Sequence, residues 1–237
     1  MKVKKLARSL RKLHEGEISE DKALGLIENA TPREISKAEQ MLLDEGLPES
    51  QLKDFCKIHL KAVEDKVDRI KSRLDVDHPL HILISEHDRI LGFLDELESL
   101  GESAKSNGFD SEKKERLKEL AEDFVEAEKH HEREEEVVFP RLEERGIDGP
   151  PRIMREDHDE FKPKKKRLLK LSEDPEGNKE EIFELIDFLT FNLRDHIFKE
   201  NNILYPAALD ELEDWNVMSK EGEKVGYCAF YTPELSK

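Results

Sequence analysis

An eleven-residue motif occurs twice in this chain, as HHEREEEVVFP at 130–140 and as HIFKENNILYP at 196–206. Both copies have His at the first position, Glu at the fifth and Pro at the eleventh. Side chains four residues apart on a helix project from the same face, one turn apart. Each copy therefore predicts a helix with an imidazole and a carboxylate side by side, and two such helices predict a metal site.

The composition indicates a helical protein. The chain has 237 residues, which is enough for one large or two small domains with a buried core. Charged residues make up 41% of it and aromatic residues 6%, and alternating β-branched runs are nearly absent. We therefore predict an all-α fold. The net charge of -17 argues against nucleic acid and anionic membranes as partners, because both would repel the chain.

Two further features bear on the location of the protein. No apolar segment reaches the roughly 18 residues of a membrane span, and no signal-peptide pattern is present. The two cysteines, Cys56 and Cys228, cannot form a disulfide framework and fit a reducing compartment. We expect a cytoplasmic protein. The basic first residues fit the first helix of a small domain, with a membrane-surface or targeting helix as the alternative.

The first 74 residues are predicted to form a smaller N-terminal helical domain. Within it, Thr31, Pro32 and Glu34 form a helix start signal, with a capping Thr, a Pro at the first helical position and a Glu three residues after the cap. A break at 75–79 marks the domain boundary, because the residue before Pro79 avoids helical angles. The four helices are expected at about 3–14, 19–30, 31–46 and 48–74.

An up-down four-helix bundle is predicted over residues 75–215. Its long helical patterns are joined by short or medium connections, which favour antiparallel neighbours. Pro140 and Pro206 are expected to kink their helices beyond the Glu of each motif. The C-terminal tail, 216–237, has no clear periodicity. The four bundle helices are expected at about 80–100, 111–145, 149–171 and 179–212.

The other two bundle helices each place one His in an apolar stripe, at His87 and His158. Four imidazoles and two carboxylates suit a dinuclear centre with two His for each metal and both carboxylates bridging. Without thiolate, this set suits iron, with manganese or zinc as alternatives. An oxo or hydroxo bridge would complete the centre and leave room for a small ligand. The predicted metal ligands are His87, His130, Glu134, His158, His196 and Glu200.

Simpler interpretations exist for several of these residues. The pair His130 and Glu134 could be a solvated polar face, but the second copy of the motif makes that improbable by chance. Glu135 competes with Glu134, and the alignment of the two copies selects Glu134.

Other polar residues could join or border the site. His81 competes with His87, from which it lies on the opposite side of the helix. His131 has Ile197 as its counterpart and is expected at the rim or behind a ligand. His78 is assigned to the linker. Cys56 and His59 share one face of an N-terminal helix; we interpret them as core residues, with a redox or haem-linked role as the alternative.

The ligand set His87, His130-x-x-x-Glu134, His158 and His196-x-x-x-Glu200, with both F/Y-P endings, resembles the hemerythrin-like HHE cation-binding family over about 78–215. The resemblance implies a four-helix bundle around a non-haem di-iron centre. Oxygen-carrying hemerythrins have a second His on the third helix and Asp at the place of Glu200. The set here looks closer to proteins that repair iron centres after nitric oxide or oxidative damage.

The N-terminal stretches LRKLHEGE, TPREISKAEQMLLDEGL and FCKIHL are similar to a helical domain of unknown function that precedes hemerythrin-like domains. If the protein has a protein partner, we expect it to bind through this domain. We interpret the protein as one that binds or senses a diatomic ligand, oxygen or nitric oxide, or iron and redox status, rather than as an enzyme. Iron–sulfur cluster repair or nitric oxide reduction is the enzymatic alternative, and a structural or zinc-binding helical bundle is the third.

Overall fold

A computed structural model describes residues 2–14, 17–18, 38, 41–42, 67 and 70–231 of the chain. The chain divides into two compact units, 1–73 and 74–237. Every element of regular structure in the described residues is helical, as the composition and periodicity predicted.

The first unit begins with α1, Lys2–His14, which confirms the predicted basic helix. Leu6 and Leu10 lie on its buried stripe, and Ala38 and Leu42 of the predicted third helix are also helical and buried. The start signal at 31–34, the predicted helix at 19–30, and Cys56 and His59 lie outside the described residues.

The second unit is an up-down bundle of four long helical rods. The first rod packs against the second and fourth, and the third packs against the same two. The connections at 108–110, 145–148 and 172–178 are short, so neighbouring rods run antiparallel. The rods are α2 (Pro79–Asn107); α3 (Ser111–Glu126), α4 (Glu128–Arg133) and α5 (Phe139–Glu144); α6 (Gly149–Leu171); and α7 (Lys179–Lys199) with α8 (Tyr205–Glu211).

Local sequence signals fix where these rods begin and end. The imidazole of His78 caps α2 by accepting the Leu80 N–H at 3.2 Å, so this residue has a structural role at the boundary. Asp110 caps α3 by accepting the Lys113 N–H at 2.9 Å. Gly146 ends the second rod with φ of 76°, a conformation that glycine adopts at no steric cost.

The apolar core fills the half of the bundle where α2 ends and α3 begins. Leu97, Leu117, Phe124, Leu168 and Ile186 belong to this cluster. Beyond the site residues, the other half is closed by another buried apolar layer that includes Leu80, Val138, Phe139, Met154 and Leu204. The polar residues of the two motifs therefore lie between two apolar layers, where bulk water is excluded.

The C-terminal segment, which showed no clear sequence pattern, forms α9, Trp215–Val225. It packs against α2 and α4, with Met218 and Cys228 buried. The Arg133 guanidinium donates to the Gly226 carbonyl oxygen at 2.7 Å and lies 5.0 Å from the Tyr227 ring centre. The tail is thus part of the second compact unit. None of the described helices is long and apolar enough to cross a membrane.

Truncation of Phe124 should destabilise the bundle strongly. Phe124 is fully buried and meets the edge of Phe93 at a ring-centre distance of 6.3 Å. Phe124→Ala should lower the free energy of unfolding by about 3–5 kcal/mol, because it removes buried apolar surface and leaves a cavity. Phe191→Ala is the control, since Phe191 is 49% exposed, and it should cost below about 1 kcal/mol. Chemical denaturation measures both; equal losses would contradict the assigned core.

Candidate metal centre

Each copy of the repeated motif contains a π-helical turn that begins at its Glu. The first π turn, π1, spans Glu134–Val138, and the second, π2, spans Glu200–Leu204. The N–H groups of Phe139 and Tyr205 donate to the carbonyl oxygens of Glu134 and Glu200, five residues earlier. The next residue in each copy is Pro, which has no N–H to continue an ordinary helical ladder. Kinks were expected beyond each Glu; in their vicinity the structure has a π turn that begins at the Glu and ends two residues before the Pro.

The first half of the site is formed by His87 on α2 and His130 on α4. Their Nε2 atoms lie 3.0 Å apart, and both side chains are buried. Outside this pair, His87 Nδ1 is 2.9 Å from Asn201 Oδ1, and His130 Nδ1 is 2.9 Å from Glu86 Oε2. The Arg133 guanidinium also donates to Glu86.

The second half repeats this arrangement with His158 on α6 and His196 on α7. Their Nε2 atoms are also 3.0 Å apart. His158 Nδ1 is 2.6 Å from Glu135 Oε1, and His196 Nδ1 is 3.0 Å from Asp157 Oδ2. In both halves, the two imidazoles turn Nε2 inward and Nδ1 outward to an oxygen acceptor.

This orientation leaves two lone pairs facing each other in each half. An Nδ1 that donates its hydrogen to an oxygen acceptor leaves Nε2 of a neutral imidazole without a hydrogen. Two such nitrogens at 3.0 Å repel each other unless a proton or a cation lies between them. Histidine metal ligands are typically oriented by the same kind of outward hydrogen bond. The donor set therefore fits a metal ion in each half.

Two buried carboxylates link the halves. Glu200 Oε2 is 3.0 Å from His87 Nε2, and its Oε1 is 2.9 Å from His196 Nε2. Glu134 Oε2 lies 3.7 Å from His130 Nε2 and 3.6 Å from His158 Nε2. These three oxygens have no hydrogen bond of good geometry within the described chain. Buried carboxylate oxygens without hydrogen bonds are costly, so a shared cation would satisfy them.

The charges of the site are held in a dry environment. Burial lowers the pKa of His130 to about 4, against the opposing hydrogen bond to Glu86. Burial raises the pKa of Glu134 well above its usual value, and the neighbouring charge of Glu200 adds to this effect. Burial would also raise the pKa of Glu200, but the imidazoles of His196, His158 and His87 outweigh it and lower that pKa. A cation would replace protons as the source of positive charge.

The structure brings all six predicted ligands together. In the described chain, ligand atoms converge in the groups His87–His130–Glu200 and Glu134–His158–His196–Glu200, and His81 belongs to neither. Glu134 faces inward, whereas Glu135 is partly exposed and supports His158 from outside.

Of the two places expected for His131, the rim or behind a ligand, the structure has it behind a predicted ligand. It is buried and stacks on His158 with ring centres 3.8 Å apart and an angle of 6°. Its ligand atom also lies within 4.8 Å of those of His158 and His196.

Sequence reasoning missed the residues that orient the imidazoles. Glu86 and Asp157 each directly precede a His of the site, yet each accepts from the His of a neighbouring helix. Glu135 and Asn201 each directly follow a motif Glu and accept from His158 and His87. An acidic residue before each isolated His and a polar residue after each motif Glu was the available signal.

Four helical rods with converging His and Glu side chains define a cation-binding helical bundle. Residues 78–208 match the family model of the hemerythrin HHE cation-binding domain, so the chain belongs to that family. Residues 6–69 match a family of unknown function, DUF438. Both resemblances seen in the sequence are thereby confirmed. A search of curated proteins found no match to this chain.

Asp157 should strengthen metal binding without touching the metal. Asp157→Asn keeps the shape of the acceptor but removes its charge, so the His196 imidazole should become a weaker ligand. We expect a loss of metal affinity of about 10–100-fold, measured by competition with a chelator. Asp159→Asn is the matched control, because Asp159 is exposed on the same helix two residues away. Equal metal affinities in the two variants would contradict a role for Asp157 in metal binding.

Proposed function

We propose that this protein holds two iron ions and binds or senses oxygen, nitric oxide or the iron and redox status of the cell. The proposal rests on one observation above all: two imidazole pairs, each with facing nitrogens 3.0 Å apart, share the carboxylate of Glu200. One carboxylate with an oxygen directed at each pair is the arrangement expected of a bridging ligand in a dinuclear site.

The donor types favour iron over softer metals. Imidazole and carboxylate ligands suit iron, manganese and zinc, whereas thiolate would select zinc or iron–sulfur clusters. In the described chain the one cysteine is Cys228, whose pKa burial raises to about 12, so it stays a thiol. Bound iron would supply reversible electron transfer and a coordination position for a diatomic ligand.

The protein around the site would control access to it. Leu83, Ile84, Phe161 and Leu193 are buried, and Phe161 meets His196 edge-on at 5.2 Å between ring centres. Ile203, on π2, is only partly buried. Apolar walls exclude water and admit small neutral molecules more readily than ions. This selectivity supports a small neutral diatomic as the ligand.

Glu200→Ala tests the metal content. This carboxylate contacts a His of each half, so its loss should lower bound iron from about two ions per chain to below one. Iron is measured in protein purified from iron-replete cells, with manganese and zinc measured beside it. Glu136→Ala is the control, since Glu136 lies on the same π turn as Glu134 but is exposed, and it should keep the wild-type content. Wild-type protein that holds zinc, or no metal, would support the structural alternative instead.

Ligand binding tests the functional part of the proposal. The reduced, iron-loaded protein, prepared under anaerobic conditions, should change its visible absorption when a measured amount of nitric oxide or oxygen is added. The change in absorption should saturate at a fixed number of ligand molecules per chain. Metal-free protein should show no change in visible absorption, because imidazole and carboxylate side chains do not absorb visible light and would not bind these gases without a metal. Continued consumption of nitric oxide with an added electron donor would instead establish the enzymatic alternative. Absence of any spectral change would rule out a diatomic ligand.

A further inference from the structure

Tyr205 differs from its counterpart in the repeat by one hydroxyl group. It is the tenth residue of the second motif, and Phe139 is the tenth residue of the first. Both side chains are fully buried. The Phe139 ring lies over His158 with ring centres 5.9 Å apart, and the Tyr205 ring lies over His87 at 5.4 Å. The apolar packing is therefore matched in the two halves, and the hydroxyl needs a separate explanation.

That hydroxyl points into the first half of the metal centre. Its Oη is 3.4 Å from His87 Nε2, 3.3 Å from His130 Nε2 and 2.8 Å from Glu134 Oε1, to which it donates. A buried hydroxyl costs free energy unless it is bonded, so a Phe would be the simpler residue for packing alone. The hydroxyl is placed where the inward nitrogens of both imidazoles converge.

The distances match those between ligands of one metal ion. Donors that bind a cation at about 2.1 Å lie roughly 3.0–3.4 Å apart when they are at tetrahedral or right angles to each other. The two nitrogens are 3.0 Å apart, Glu200 Oε2 is 3.0 Å from His87 Nε2, and Oη is 3.4 and 3.3 Å from the nitrogens. Oη thus lies at the distances expected of a further donor to a cation that these nitrogens would hold.

We infer that Tyr205 is a seventh protein ligand of the centre and binds, as a phenolate, the cation held by His87 and His130. The inference rests on the proposed iron centre. On binding, the phenol O–H bond breaks, its electron pair stays on Oη and is shared with the cation, and the proton is released to solvent. The charge of the cation offsets the burial that otherwise disfavours a phenolate. The half with His158 and His196 has a phenyl ring at this place and has no such oxygen.

Visible and resonance Raman spectra of the ferric protein test the assignment. A phenolate bound to ferric iron gives an intense visible charge-transfer band with tyrosine ring vibrations enhanced under it. Tyr205→Phe should abolish the band while the protein still binds iron. The control is the double variant Tyr227→Phe, Tyr231→Phe, which leaves Tyr205 as the one tyrosine of the chain and should keep the full band.

Each outcome decides the inference. An unchanged band in Tyr205→Phe, or a wild-type protein with two irons and no such band, overturns the tyrosine ligand and leaves the iron centre intact. A wild-type protein without bound iron overturns both. If Tyr205→Phe does not fold, the double variant is labelled with ring-deuterated tyrosine instead, so that Tyr205 is the one labelled residue. The enhanced vibrations should then shift, and unshifted vibrations would assign the band to another ligand.

Discussion

The structure depends on four imidazoles that are held with their Nε2 atoms facing inward in two pairs. Within each pair the nitrogens are 3.0 Å apart in a buried space, a separation that repulsion between lone pairs would otherwise increase. The surrounding protein contacts the outer nitrogen of every ring with an oxygen acceptor, so each Nε2 is directed inward. A cation between the nitrogens of each pair would remove this repulsion, so the arrangement favours metal binding.

The backbone that holds this arrangement follows from the repeat. His and Glu share a helix face because four residues separate them, and Pro six residues after the Glu prevents an ordinary helical ladder from passing through. In both copies the helix contains a π turn that starts at the Glu. The turn directs Glu134 and Glu200 inward and places Phe139 and Tyr205 against imidazoles of the centre. One short motif thus positions a carboxylate, an imidazole and an aromatic wall.

Much of the fold and of the site could be predicted from local periodicity. The spacing of the motif and the apolar stripes around His87 and His158 were sufficient to predict that six side chains face the interior of one bundle. The orienting residues were not predictable in the same way, because the chain has 57 acidic residues and contacts between helices decide which of them meet an imidazole. The position of Glu86 next to His87 in α2 marks it as a candidate, but only the packing of helices shows that it accepts from His130. The burial of Cys228 likewise depends on contacts of the tail with the bundle, where Gly226 bonds to Arg133.

The two halves share one plan but are chemically unequal. Carboxylates support His130, His158 and His196, whereas the uncharged amide of Asn201 supports His87. A carboxylate acceptor makes an imidazole a stronger donor to a metal than an amide does. The half that contains His87 therefore has less negative charge on the groups that accept from its imidazoles. It is also the half into which Tyr205 directs its hydroxyl. The repeat sets the symmetry of the two imidazole pairs, and the residues that accept from their outer nitrogens make the two pairs different.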